Sequence, residues 1–266
     1  MSVDLETPVL VELDGGICRI TLNRPQALNA WTPQLGRELL AALREASGDP
    51  TVRAVLISGA GRAFSAGADL NVPREVTDDG LPDLSTRLRE IYNPIITTIA
   101  EAPKPVVAAV QGAAAGIGAS LALSCDLIVA AESSYFLLAF VKIGLVPDAG
   151  AAYQLATRIG YSRAIQLAML GERLPAPQAL AWGVVNEVHP DGELAEAATA
   201  LAARLAAGPT VALGDMKQAL RLGVQRHLTE QLELDAELQQ RQAGTTDHVE
   251  GIASFKEKRP PHFTGS

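Results

Sequence analysis

The apolar run "RAVLIS" (53–58) passes straight into "GAGRAFSAGADL", and "PVVAAV" (105–110) passes straight into "QGAAAGIGAS". Short runs rich in Val and Ile that stop at glycines read as buried strands entering turns. The segment after each turn reads as a helix, so strand, glycine-rich loop, helix is the expected order at both places. A third run, "DLIVAA" (126–131), repeats the theme, and a polar–apolar segment around 83–101 reads as another helix. No strict internal repeat underlies this rhythm, and it predicts an α/β core.

The flanks differ. Ahead of the core, "VLVELDGGICRITLN" alternates apolar and polar residues around Asp14-Gly15-Gly16, the pattern of a β-hairpin. A helix is expected next, with Thr32 as its cap, Pro33 in its first turn, and Leu35, Leu39 and Leu43 on one face. After "WGVVNEVHP" the chain turns rich in Ala, Leu and Glu at helical spacing, broken at Gly208-Pro209 and Gly244. The expected organisation is one main domain, residues 1–194, with a helical region, 195–266, that packs on the core or on a neighbouring subunit.

With 48% hydrophobic residues the chain can bury a sizeable core. Its 22 basic and 30 acidic residues leave a net charge of −8, which disfavours nonspecific binding to nucleic acid or anionic membranes; an anionic ligand would need local cations. Cys18 and Cys125 lie in apolar stretches without metal-ligand spacing and read as small buried hydrophobes. With no apolar run near ~18 residues, the expectation is a soluble cytoplasmic protein without metal or redox cofactor.

Each glycine-rich loop offers backbone N–H groups at the start of an expected helix, a setting that suits negative charge. Neither loop carries a phosphate-binding GxxxxGK[ST] or GxGxxG pattern: Gly59-x-Gly61 continues to Phe64, and Gly116-x-Gly118 to Leu121. "AFSAG" and "GASLA" each miss GxSxG by one glycine, and the histidines (His189, His227, His248, His262) read as surface groups rather than partners of a serine nucleophile. Two loops that each present an N–H to one point would make an oxyanion hole.

Beyond these patterns, "LNRPQALNAW", "GAGRAFSAGADL", "KPVVAAVQGAAAGIGASLALSCDLIVAAE", "IGLVPDAGAA" and "EGIASFKEKRPPHF" resemble, in order, the motifs of the enoyl-CoA hydratase/isomerase (crotonase) superfamily. "IYNP", "AFVKIGLVPDAG" and "RPPHFTG" resemble most its phenylacetate-pathway branch, the isomerases of epoxidised phenylacetyl-CoA. The resemblance implies a spiral of ββα turns with a helical C-terminal trimerisation region, assembled as a homotrimer or a hexamer. It implies an acyl-CoA thioester substrate whose carbonyl oxygen lies between the N–H groups of Ala68 and Ile117. The same resemblance puts Arg24, Ala66, Gly67, Asp69, Leu70, Gly116, Ser120 and Phe140 along the substrate, with Phe255 and Lys258 reaching the CoA of a neighbouring subunit. Gln26 stands where many relatives have lysine, and Ile117 where hydratases usually have glycine.

The departures bear on chemistry. Ser120 and Phe140 occupy the positions of the two hydratase glutamates, and neither is a competent general base. Asp148, by resemblance, stands where the isomerase branch and some dehalogenases carry an aspartate. The residues themselves leave two readings of Asp148: a turn carboxylate that caps the helix beginning near 149–151, or the group that moves a proton. If Phe140 and its apolar neighbours desolvate that carboxylate, its pKa should rise. Ser120 also reads as a small helix-packing residue, Asp126 as a structural hydrogen-bonding group, and Asp78-Asp79 as solvated loop charge that could cover the acyl pocket. The expected function is an acyl-CoA isomerase with one aspartate. Its rivals are a hydratase, an aryl-CoA dehalogenase-like or hydrolase-like enzyme, and a noncatalytic acyl-CoA binder.

Overall fold

The computed structural model describes residues 7–73, 76–78, 83–224 and 244–266, without the side chain of Phe255. Strands β1 (Val9–Asp14) and β2 (Ile17–Leu22) form the expected hairpin, with Asp14 opposite Ile17 and with Gly15 and Gly16 at positive φ. Such a turn suits glycine, which has no Cβ to clash. Helix α1 (Pro33–Gly48) starts as its sequence predicts: the Thr32 hydroxyl accepts from Leu35 N–H at 3.1 Å, and Leu35, Leu39 and Leu43 are buried.

β3 (Ala54–Gly59) leads into the first glycine-rich loop. Residues 60–73 contain no helix, contrary to expectation; among the described residues the next helix is α2 (Ser85–Arg87), which runs through a π-helical turn at Leu88–Tyr92 into α3 (Asn93–Glu101). The loop fails to coil because neighbouring strand-like segments claim its backbone: Ser65 N–H donates to Ala113 O and Ala115 N–H to Ser65 O, both at 2.9 Å.

β4 (Val106–Val110), β5 (Ala113–Ala115), α4 (Ile117–Ser124), β6 (Leu127–Ala131) and β7 (Tyr135–Leu137) come next. A 3-10 turn at Ala139–Ile143, α5 (Ala151–Ile159), α6 (Tyr161–Leu170), β8 (Arg173–Pro175), α7 (Ala176–Trp182) and β9 (Glu187–His189) complete the mixed part. The larger sheet has the order β1-β2-β3-β4-β6-β9, parallel apart from the first hairpin, and the smaller is β5-β7-β8.

The central strands are apolar on both faces because both faces are covered. Val55, Ile57, Val106, Ala108 and Val110 enter one core with α1, α3 and α4; Ala54, Leu56, Val107 and Ala109 alternate to the other side. There they meet Leu194, Ala198, Leu201 and Ala202 of α8 (Leu194–Ala206). α9 (Thr210–Gly223) and α10 (Thr246–Glu257) continue the helical tail. Asp126 is structural, as expected: it accepts from Val106 N–H and pairs with Lys217 of α9, both at 2.8 Å. No single helix among the described residues is long and apolar enough to cross a membrane.

Candidate active site

The first loop is bonded along one side to residues 28–31. Ala66 N–H donates to Leu28 O (2.9 Å), Trp31 N–H to Gly67 O (2.7 Å) and Asp69 N–H to Trp31 O (3.0 Å). The N–H of Ala68 is left out of these bonds, and Ala68 lines a cavity together with Gly116 and Ile117. Here the two glycine-rich loops touch backbone to backbone. A Cβ on Gly67 (φ +100°) would stand 3.0 Å from Ala115 O, and one on Gly116 (φ +52°) 3.7 Å from the Gly67 Cα. Glycine at both places permits the positive φ and the approach together.

Ile117 opens α4, where N–H groups have no intrahelical acceptor. Neither its N–H nor that of Ala68 donates to a described residue. The Ile117 side chain is buried in the core, which leaves its backbone free for a ligand.

Asp148 lies in the turn before α5. Its carbonyl accepts from Ala151 N–H at 3.0 Å and from the Ser120 hydroxyl at 3.1 Å. Its carboxylate does not cap the helix: the N-cap of α5 is Gly150, at φ +76°, with no side-chain cap bond. The capping reading is therefore replaced by one in which the main chain of Asp148 anchors the turn. The carboxylate oxygen Oδ1 is buried without a hydrogen-bond partner among the described residues. Burial pushes its pKa up to about 6, because an apolar surrounding disfavours the charged form.

Asp148 and the donor pair line one cavity of about 340 Å³. Ala66, Gly67, Asp69, Leu70, Gly116 and Phe140 line it too. Phe140 is buried; Leu70 is exposed at the mouth, beside Ile143, Leu145 and Val146. Asp69 is a lining residue already paired: Arg24 reaches its Oδ2 at 3.0 Å, and the Asn71 N–H and Arg24 together hold its carboxyl below the usual range. Arg24 itself braces the loop through Asp69 and Ala30 O.

Ser120 does not line the cavity; it is fully buried, with its hydroxyl on Asp148 O and Gly116 O. Lys258 is exposed beyond α10 and does not line this cavity, and the Phe255 side chain lies outside the described residues. His189 bonds Glu187, His248 and His262 are exposed, and His227 and Asp79 lie outside the described residues. Asp78 is exposed.

The model of the family described as "Enoyl-CoA hydratase/isomerase" matches residues 12–266. The chain belongs to the enoyl-CoA hydratase/isomerase family. It is thus an enzyme of the acyl-CoA hydratase/isomerase type, as its motifs imply, and the α/β spiral agrees. The 1,2-epoxyphenylacetyl-CoA isomerase of Escherichia coli (strain K12) is 42% identical over 258 residues, 97% of this chain and 98% of that one. A probable enoyl-CoA hydratase of Rhodobacter capsulatus is 43% identical over 254 residues, 96% of each. The crystal structure of a putative enoyl-CoA hydratase/isomerase from Mycobacterium abscessus superposes with a TM-score of 0.91 at 38% identity, covering 97% of this chain and all of that one (100%).

Within this family member the cavity wall also contains residues to which the sequence assigned no role. Arg87, Leu88 and Tyr92 come from the helical run before α3, and Lys142 from the 3-10 turn. The run was legible only as an amphipathic helix. "IYNP" carried the resemblance, yet nothing local says that its tyrosine faces a chamber.

Proposed function

We propose that this protein is an acyl-CoA isomerase that uses Asp148 as its single acid–base group. One observation carries the reading: one chamber is lined both by a buried carboxylate oxygen without a hydrogen-bond partner and by two residues whose backbone N–H groups have no acceptor among the described residues. In this reading the thioester carbonyl oxygen sits between the N–H groups of Ala68 and Ile117. As a proton leaves the carbon acid for the Asp148 carboxylate, the electron pair moves onto that oxygen as an enolate, and the donors stabilise it. Asp148–H then returns the proton to a different carbon, so the double bond shifts or the ring rearranges with no net gain or loss of atoms. A pKa near 6 suits a group that must act as base and then as acid.

Hydration would ask for a second group to activate water, and Ser120, whose hydroxyl is directed at two carbonyls, is poorly placed for it. The physiological acyl group is proposed to resemble that of the epoxyphenylacetyl-CoA isomerase relative. Assembly is proposed as a homotrimer or dimer of trimers in the cytoplasm, with Phe255 and Lys258 near a neighbour's CoA. Turnover of 2-enoyl-CoA, 3-enoyl-CoA and epoxyphenylacetyl-CoA by one preparation tests the reaction. Isomerisation of the latter two, lost in Asp148→Asn, is expected; efficient hydration of the first with little isomerisation would make the protein a hydratase.

A further inference from the structure

The Tyr92 hydroxyl has no part in the proton transfer assigned to Asp148, yet the tyrosine lines the same cavity. Its ring is buried and held edge-on to Trp31, with centroids 5.3 Å apart at 86°. It ends the π-helical turn Leu88–Tyr92, closed by Asn93 N–H donating to Leu88 O. A π turn adds a residue to the helix and re-aims the side chains beside it, and such turns recur at functional sites. Both constraints hold one rotamer of a polar aromatic side chain in a wall that is largely apolar.

The partners of the hydroxyl define what it can do. Arg87 lines the same cavity and stands beside it; a guanidinium carries donors only, so toward Arg87 the tyrosine oxygen can only accept. The tyrosine proton is left to donate elsewhere. It does not go to the buried Asp148 Oδ1, which has no partner among the described residues. Burial, reinforced by the Asp148 charge, raises the Tyr92 pKa against the opposing pull of Arg87, so the group stays a neutral donor across the working range.

We infer that Tyr92 determines specificity for acyl groups that carry an oxygen acceptor, an epoxide, ether or carbonyl beyond the thioester, by donating its O–H to that oxygen. A hydrocarbon chain in the same place leaves the buried O–H unpaired, which is how a polar pocket group rejects an analogue that lacks its partner. This inference rests on the isomerase reading only in taking the ligand to be an acyl-CoA, and its test involves no turnover.

The test compares tetrahydropyranylacetyl-CoA with cyclohexylacetyl-CoA, unreactive thioesters that differ by one ring oxygen, by titration calorimetry against the parent protein, Tyr92→Phe and Asp148→Asn. Phenylalanine keeps the ring against Trp31 and removes only the hydroxyl. The affinity ratio of ether to carbocycle is expected to fall about 5–10-fold in Tyr92→Phe, the size of one neutral hydrogen bond. Binding of the carbocycle should stay equal or tighten, because Tyr92→Phe removes the O–H that this ligand leaves unpaired. The preference should survive in Asp148→Asn. A ratio unchanged by Tyr92→Phe would overturn the inference, and so would equal weakening of both ligands, which would make Tyr92 a packing residue. Loss of isomerase turnover bears on Asp148 and leaves this ratio untouched, so the two readings fail separately.

Discussion

Asp148 combines two properties that normally conflict: it lies in an apolar wall and it must be charged to act. Replacing it with Asn keeps size and polarity while removing the base. kcat for isomerisation is expected to fall by about 10²-fold or more with acyl-CoA binding retained, which single-turnover kinetics beside calorimetry will show. In the parent protein, kcat/KM should rise with pH through an apparent pKa of about 6, the value that burial imposes, and this inflection should be absent from the residual activity of the Asn variant.

The same burial makes the native carboxylate a cost. Its folded pKa lies above the ordinary 3.8, so the folded state binds the proton more tightly than the unfolded chain does. Stability from this group is therefore fully present below pH ~4 and lost as pH rises through about 6. At about 1.4 kcal/mol per pH unit the loss is at most about 3 kcal/mol at neutral pH. Asp148→Asn is expected to unfold at higher urea than the parent at pH 7.5, with the advantage gone near pH 3.5. Equal midpoints at both pH values would contradict the desolvated environment.

At the level of elements, base and donor pair are tied through α4. Its first residue supplies the Ile117 N–H, and one turn later the Ser120 hydroxyl bonds Asp148 O at 3.1 Å. The position given to an acid–base group in hydratases, by resemblance, here fixes the turn that carries the base. Ser120→Ala should cost about 1 kcal/mol of stability, whereas kcat should fall about 10-fold at little change in KM, because base geometry tolerates small errors poorly. Ser120→Thr, which keeps the hydroxyl, should recover part of that loss if its methyl is accommodated. The loop contact is stricter. A Cβ at Gly67 would meet Ala115 O at 3.0 Å with φ at +100°. Gly67→Ala is thus expected to destabilise by about 1–3 kcal/mol and to depress kcat/KM by misplacing the Ala68 N–H, checked by urea denaturation alongside kinetics.

Across the molecule as a unit, α8 is absorbed into the second core, but α9 leaves Met216 and Leu220 exposed at 56% and 75%, with Val224 after it at 65%. The four-residue spacing places them along one side of the helix, and Val249 and Ile252 of α10 are exposed as well. Apolar side chains in such a row suit a partner surface. Light scattering is expected to return three chains or six, and Leu220→Asp to shift the population toward monomer; a monomeric parent protein at micromolar concentration would remove the oligomer from the proposal.

Features that depend on near neighbours along the chain could be read from the amino acids. The hairpin at Gly15-Gly16, the capped start of α1, the apolar strands and the helical tail were all legible because turn chemistry and periodicity are local, and the ordered motifs identified the family. Asp148 was singled out by resemblance, since a Pro-Asp turn looks the same whether or not it moves protons. Other features exist only in the folded chain. Residues 60–73 read as the approach to a helix, yet the N–H groups of Ser65, Ala66 and Asp69 are taken by Ala113 and by residues 28–31, partners remote in sequence. That the Asp148 main chain rather than its carboxylate anchors α5, that Ser120 bonds it, and that Tyr92 and Arg87 face the same chamber are facts of assembly. Desolvation sums over every group packed around an atom, and no window of sequence contains that sum.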